Sequence, residues 1–282
     1  QHWFRIDTDF DGQIMTARLT PDTDGVYFAY FEPYSYERHL DLIGSAALSP
    51  HVQLQRLGAT LEGRDMMLLR ITDASAATPL AQRRKVWLIA RQHPGETMAE
   101  WFVEGFLERL LDADDPVARV LLGKCVFHVV PNMNPDGAVR GNLRTNAAGA
   151  NLNREWHEPS PERSPEVLHV RAAMDRTGVD FAMDVHGDEA IPHVFIAGFE
   201  GIPSLKPDRL ALYNRYRDIL AARTPDFQTK VGYPVSPPGR AKAAWSFLPY
   251  LIVTTRQPTV AKNCSILANK SSGTTRSRLW RL

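Results

Sequence analysis

His93 and Glu96 stand three residues apart in Arg91-Gln-His-Pro-Gly-Glu96. At that spacing one turn of chain can aim an imidazole nitrogen and a carboxylate oxygen at a single point. Those are two of the three protein donors a catalytic zinc takes, its fourth position staying open. By itself His-x-x-Glu is a pattern with a high false-positive rate. Pro94-Gly95 inside it adds weight, because that pair marks a shaped turn and not the middle of a helix. A third donor follows at His186, which ends an apolar run and is succeeded by Gly187, a residue that lets the chain turn away from a crowded point. A lone histidine at a strand end is more often a hydrogen-bonded structural group. The two-His, one-Glu combination shifts the balance, and zinc held by it would lower the pKa of a bound water and polarise a carbonyl.

The surrounding pattern must place these groups. Val86–Ala90 is an apolar run that predicts a buried strand, and Met98–Leu111 has apolar residues at helical spacing, so the motif sits on a strand-to-helix turn. Residues 53–58 and 65–72 flank the turn Leu61-Glu-Gly-Arg64 as a hairpin. Cys125–Pro131 predicts another apolar strand, ending in the turn signal Asn132-Met-Asn-Pro-Asp-Gly137. Helical patterns cover 163–174 and 205–222, strands 180–186 and 193–197, and a charge-mixed helix 35–45. Buried strands alternating with helices imply an α/β fold with a mixed, mainly parallel sheet covered on both faces. In such sheets ligands bind beyond the carboxyl ends of the strands. Arg91-Gln92-His93, Asn132–Asp136 and His186–Glu189 each follow a strand end, which gathers their chemistry on one rim.

The composition excludes several classes. The chain has 282 residues, 44% hydrophobic and 23% charged, enough for one sizeable core. A formal charge of +1 gives no general attraction to nucleic acid or an anionic membrane. No apolar run reaches the ~20 residues that span a bilayer, and residues 1–33 show no basic-then-apolar leader. Cys125 and Cys264 make no disulfide framework, so a reducing cytoplasm is the simplest home. The chain starts at Gln1, which is consistent with a longer protein.

Five motifs in order, His93-Pro-Gly-Glu-Thr97, Asn134-Pro-Asp-Gly137, Gly141-Asn-Leu-Arg144, Asn151-Leu-Asn-Arg154-Glu-Trp156 and Asp184-Val-His186-Gly187, resemble the zinc carboxypeptidases, specifically the cytosolic carboxypeptidase branch. The stretch Phe28–Tyr36 is similar to the junction between that branch's small β domain and its peptidase domain, and the resemblance spans about 26–235. It implies one zinc ion held by His93, Glu96 and His186. It also implies Arg144 facing the scissile carbonyl, where a fixed positive charge is most effective, and Asn153 with Arg154 binding the terminal carboxylate of a peptide or protein substrate. Asp184 is then an acceptor that orients a zinc histidine. The implied organisation is a remnant of a β domain over 1–33, a catalytic domain over 34–240 and an aberrant tail over 241–282.

That tail departs from the family pattern. The resemblance calls for a late glutamate as general base, yet Glu200 is the last glutamate and Asp226 the last acid of the chain. Beyond about Arg240 strand and helix periodicity fades, and a frameshifted or degraded end is favoured over a genuine lineage-specific ending; the other reading frames of the DNA would supply or deny a glutamate-bearing strand. Asp188 and Glu189 are expected to shape the pocket, and Tyr233 is the last candidate for a substrate-covering tyrosine. The leading expectation is a zinc carboxypeptidase-type hydrolase, with C-terminal glutamate among its candidate substrates. An aspartoacylase-like amidohydrolase and a non-catalytic zinc- and carboxylate-binding protein remain the alternatives.

Overall fold

The computed structural model describes residues 3–198, 205–234, 250–255, 266–271 and 280–281, the last three stretches as backbone. Glu200 and Cys264 lie outside the described residues. Two compact units are present: Gln1–Pro33 with Asp188–Pro192 and Arg256–Leu282, and Tyr34–Gly187 with His193–Thr255.

The first unit is built of short strands: β1 (Trp3–Ile6), β2 (Thr8–Phe10), β3 (Met15–Ala17) and β4 (Gly25–Ala29). Their partners come from the far end of the sequence. In one three-stranded sheet β12 (Ile266–Ser271) lies between β1 and β4, and in the other β13 (Trp280–Arg281) pairs β3.

The second unit carries the chemistry. It runs α1 (Tyr36–Ala47), β5 (Val52–Ala59), β6 (Asp65–Ile71), β7 (Arg84–Ala90), α2 (Met98–Leu110), α3 (Pro116–Lys124), β8 (Cys125–Val130), α4 (Pro135–Arg140), α5 (Pro165–Thr177), β9 (Phe181–Gly187), β10 (Phe195–Ala197), α6 (Pro207–Arg223) and β11 (Tyr250–Thr255). The seven strands form one sheet in the order β10-β11-β9-β7-β8-β6-β5. The four central strands are parallel and the flanking pairs antiparallel, the mixed α/β architecture that the sequence predicts.

Alternation along β7 shows how the sheet is covered. Leu88 and Ala90 join Val103 and Leu107 of α2, Leu122 of α3, Ile43 of α1 and Tyr213 of α6 in one cluster. Trp87 and Ile89 point the other way, into a cluster with Val167, Val170 and Met174 of α5. Both layers are built of buried apolar side chains, and each fully buried Val or Leu contributes about 1.5–3 kcal/mol. A rigid sheet thus fixes where the carboxyl ends of β7, β8 and β9 stop.

Three elements differ from the sequence expectation. Helix α3 went unread; it is short, yet Asp115 caps it by accepting from the backbone of Val117 and Ala118, with Pro116 in its first turn. Asn134-Pro-Asp-Gly137, read as a turn, opens α4: Asn134 accepts from the Gly137 amide 3.0 Å away and Pro135 takes the first helical position. Strand β11 falls where periodicity was expected to fade, and it occupies a place in the main sheet with Thr254 in register with His186 of β9.

Candidate metal and carboxylate site

Beyond the end of β7 the chain bends at once. Arg91 has φ of 57°, left-handed for a non-glycine residue, and its buried guanidinium holds the bend. Nε donates to the Pro94 carbonyl at 3.0 Å, and Nη1 donates to the Tyr34 carbonyl at 2.9 Å and to Glu100 at 2.5 Å. This strained loop turns His93 and Glu96 inward, where both are buried. His186 reaches the same point from the end of β9. Gly187 leaves room behind it for the Met98 side chain, whose sulfur would lie 2.1 Å from a Cβ at that position and would have to move aside.

The ligating atoms of His93, Glu96 and His186 all lie within 4.8 Å of one another. His93 Nδ1 is 2.7 Å from Glu96 Oε1, His186 Nδ1 is 2.8 Å from Glu96 Oε2, and the two Nδ1 atoms are 3.2 Å apart. The far ring nitrogens are engaged elsewhere. His186 Nε2 is 2.8 Å from Asp184 Oδ2, and His93 Nε2 is 3.1 Å from Asn151 Oδ1, which also accepts from the Asn153 amide. Two neutral rings each donating through Nε2 leave two lone pairs and a carboxylate converging on one point. Acceptors converge in this way around a cation, and the set of two imidazoles and one carboxylate suits zinc.

The electrostatics of the metal-free cluster agree. Burial disfavours charge on the His186 ring, yet the Asp184 and Glu96 carboxylates beside it push its pKa up to about 10. Burial likewise opposes ionisation of Glu96, but the neighbouring His186 and His93 bring its pKa down to about 2. The site demands positive charge; without metal, a proton supplies it.

The other sequence candidates are placed as follows. Gly95 donates to the Leu143 carbonyl at 3.0 Å, and the next residue, Arg144, brings Nη1 to 3.9 Å from Glu96 Oε1. Arg144 is therefore beside the ligand set, with its side chain about half exposed. Asn153 is buried, and its Oδ1 has no hydrogen-bond partner among the described residues. Arg154 is exposed and donates from Nη1 to the Asn153 carbonyl at 2.9 Å. Close by, Arg140, which is not among those candidates, is held by Glu62 and the Ala147 carbonyl, a structural arrangement. Asp188 accepts from the amides of Ala190 and Ile191 in its own loop, Glu189 is exposed, and Tyr233 stands edge-on to Phe195 at 5.0 Å.

Two contributors went unread. Asn151 was visible only as part of a motif, and its role needs the fold that brings it to His93. Gln92 carried no signal beyond adjacency to His93, yet it is fully buried and bonds Asp184 and Trp156.

Comparison with known proteins follows the same lines. The family model described as zinc carboxypeptidase matches residues 42–191. An uncharacterised protein of Zymomonas mobilis is 57% identical over 244 residues, covering 86% of this chain and 62% of that protein. Human cytosolic carboxypeptidase 1 is 35% identical over 200 residues, 65% of this chain and 16% of the human protein. The chain thus spans less than two thirds of either relative. The crystal structure of a metallo-carboxypeptidase from Burkholderia cenocepacia superposes with a TM-score of 0.85 at 47% identity, over 90% of this chain and 69% of that one.

Proposed function

The chain belongs to the zinc carboxypeptidase family, and from that premise we propose that it is a metallocarboxypeptidase-type hydrolase removing the C-terminal amino acid of a peptide or protein. The observation that carries this reading is the convergence of His93 Nδ1, His186 Nδ1 and the Glu96 carboxylate. These three residues hold one zinc ion. When bound, the metal supplies Lewis acidity toward the scissile carbonyl and an activated water.

The chain's own groups do the rest. Arg144 places a fixed positive charge beside the ligand set, where it stabilises negative charge developing on the carbonyl oxygen. Asn153 offers a buried amide with unused hydrogen-bonding capacity, and Arg154, three residues beyond the His93-orienting Asn151, provides a guanidinium for the terminal carboxylate. Capture of that carboxylate restricts cleavage to the chain end. Glutamate is the first C-terminal residue to test, and the cytoplasm is the proposed compartment.

A second reading is favoured by one observation. Asp226 is the last acid in the sequence, and the strand beside His186 carries Thr254 in register with it. A protein without a general base retains zinc and carboxylate binding and loses turnover. Zinc content together with hydrolysis of a panel of dipeptide-like substrates separates the two. Turnover abolished in His93→Ala supports the hydrolase. Stoichiometric zinc with no hydrolysis supports the binding protein, and absence of zinc removes both.

A further inference from the structure

We infer that Trp156 and Gln92 set which nitrogen of His186 faces the metal, through a hydrogen-bonded relay whose polarity the indole fixes; the inference rests on the proposed zinc site. All four residues of the relay, Trp156, Gln92, Asp184 and His186, are buried. Trp156 Nε1 lies 2.8 Å from Gln92 Oε1, the Gln92 Nε2 group bonds Asp184 Oδ2, and the same Oδ2 is 2.8 Å from His186 Nε2.

The direction of each link follows from the one before. An indole nitrogen can only donate, so the Gln92 oxygen must face Trp156 and its NH2 must face Asp184. A carboxylate can only accept, so the hydrogen between Asp184 and the ring sits on His186 Nε2. That leaves Nδ1 as the lone pair, directed at Glu96 Oε2 and His93 Nδ1, at 2.8 and 3.2 Å. With no donor at position 156, the Gln92 amide is free to rotate and present its oxygen to Asp184. Two acceptors would then face each other unless Asp184 took up a proton, and the polarity of the whole relay would be lost. Asp184 Oδ1 has no partner among the described residues, so among them only Gln92 and His186 meet that carboxylate.

The arrangement also ties the metal to the segment read as binding substrate. Asn151 orients His93 directly, while Trp156, five positions later, orients His186 from a distance. Asn153 and Arg154 lie between them. One short segment thus positions both histidines and presents the carboxylate-binding groups, so it must be in place before the site can load. Gln92 and Trp156 are positioning residues that touch neither metal nor substrate.

The test uses the full chain, with zinc affinity measured by competition against a chelator and the His186 Nε2–H observed by NMR. Gln92→Met is expected to weaken zinc binding about 10–100-fold, the range seen when groups behind a metal ligand are removed. Trp156→Phe, which keeps an aromatic ring and deletes the donor, is expected to weaken it about 3–10-fold. In both variants the His186 Nε2–H should exchange faster with solvent, while the zinc-free melting temperature changes little. Zinc affinity within twofold of the parent in a folded variant, with His186 Nε2–H exchange unaltered, overturns the relay. If neither variant folds, the zinc-loaded parent decides: a His186 ring carrying its slow-exchanging proton on Nδ1 overturns it, and one on Nε2 supports it. A parent that binds no zinc sinks the functional reading instead, whereas His186 Nε2–H exchange compared between the parent and the variants still decides the relay.

Discussion

Two buried His–Glu pairs flank the start of α2, and they differ in what surrounds them. His39 Nδ1 lies 2.6 Å from Glu100 Oε1, and His93 Nδ1 lies 2.7 Å from Glu96 Oε1. Glu100 also accepts from Arg91 at 2.5 Å and from the Asn132 amide at 3.1 Å, so a permanent cation and a neutral donor saturate it. Glu96 instead faces two imidazole lone pairs and the Gly187 amide, with Arg144 only at 3.9 Å. The first pair is a closed structural knot that fixes the loop after β7. The second is an excess of acceptors, which is the chemical description of a metal site. Residue type does not separate them; the supply of donors does.

Breaking each pair should therefore give opposite phenotypes. Alanine at His93 or Glu96 is expected to cost about 4 kcal/mol of zinc affinity, on the order of a thousandfold, since three ligands share a site energy of about 10–16 kcal/mol. The apo protein should remain folded, which thermal unfolding in chelator will check. Glu100→Ala should do the reverse, destabilising the protein by about 3 kcal/mol because Arg91 is left buried without its counter-charge. Denaturant unfolding of the metal-free protein measures that loss.

Asn151→Ala probes the boundary between the two behaviours. It removes the Nε2 partner of His93 and leaves the ligand itself, so zinc should bind about tenfold more weakly with little change in melting. The smallest effect concerns Glu166, buried on α5, whose side chain meets the Asn146 amide at 3.1 Å and so anchors the loop that carries Arg144 and Asn153. Burial pushes its pKa from 4.5 up to about 7, against the lowering effect of its hydrogen bonds. A folded-state pKa raised above the unfolded value contributes stability that is complete below pH 4.5 and is lost as pH rises through 7. Glu166→Gln should flatten the stability profile in that window, a change of about 1–3 kcal/mol. An unchanged profile would mean that Glu166 does not titrate there.

The contrast also shows what the sequence could carry. That His93, Glu96 and His186 would meet was legible because each lies at or just beyond the end of a strand, and β7 and β9 announce themselves as apolar runs. His39 and Glu100 gave no hint of forming a second pair, since 61 residues separate them and only packing of α1 on α2 brings them together. Gln92 and Trp156 are hidden for the same reason: a glutamine's role depends on which groups face its two ends. Asn134 misled because an Asn-Pro pair starts turns and helices alike. Strand β11 ends a mostly apolar run from Ala243 to Val253, interrupted by Ser246 and Pro249, and such a run shows no alternation from which a strand can be told. Its place in the sheet comes from pairing with β9 and β10.

Acceptor excess makes the His93–Glu96–His186 cluster the zinc site we propose, whereas the His39–Glu100 pair is structural. Zinc bound per chain after dialysis against metal-free buffer tests it most directly, comparing the parent with Glu96→Ala and Glu100→Gln. Close to one ion is expected in the parent and in folded Glu100→Gln, and none in Glu96→Ala. Zinc retained by Glu96→Ala, or none in the parent after loading, would contradict it.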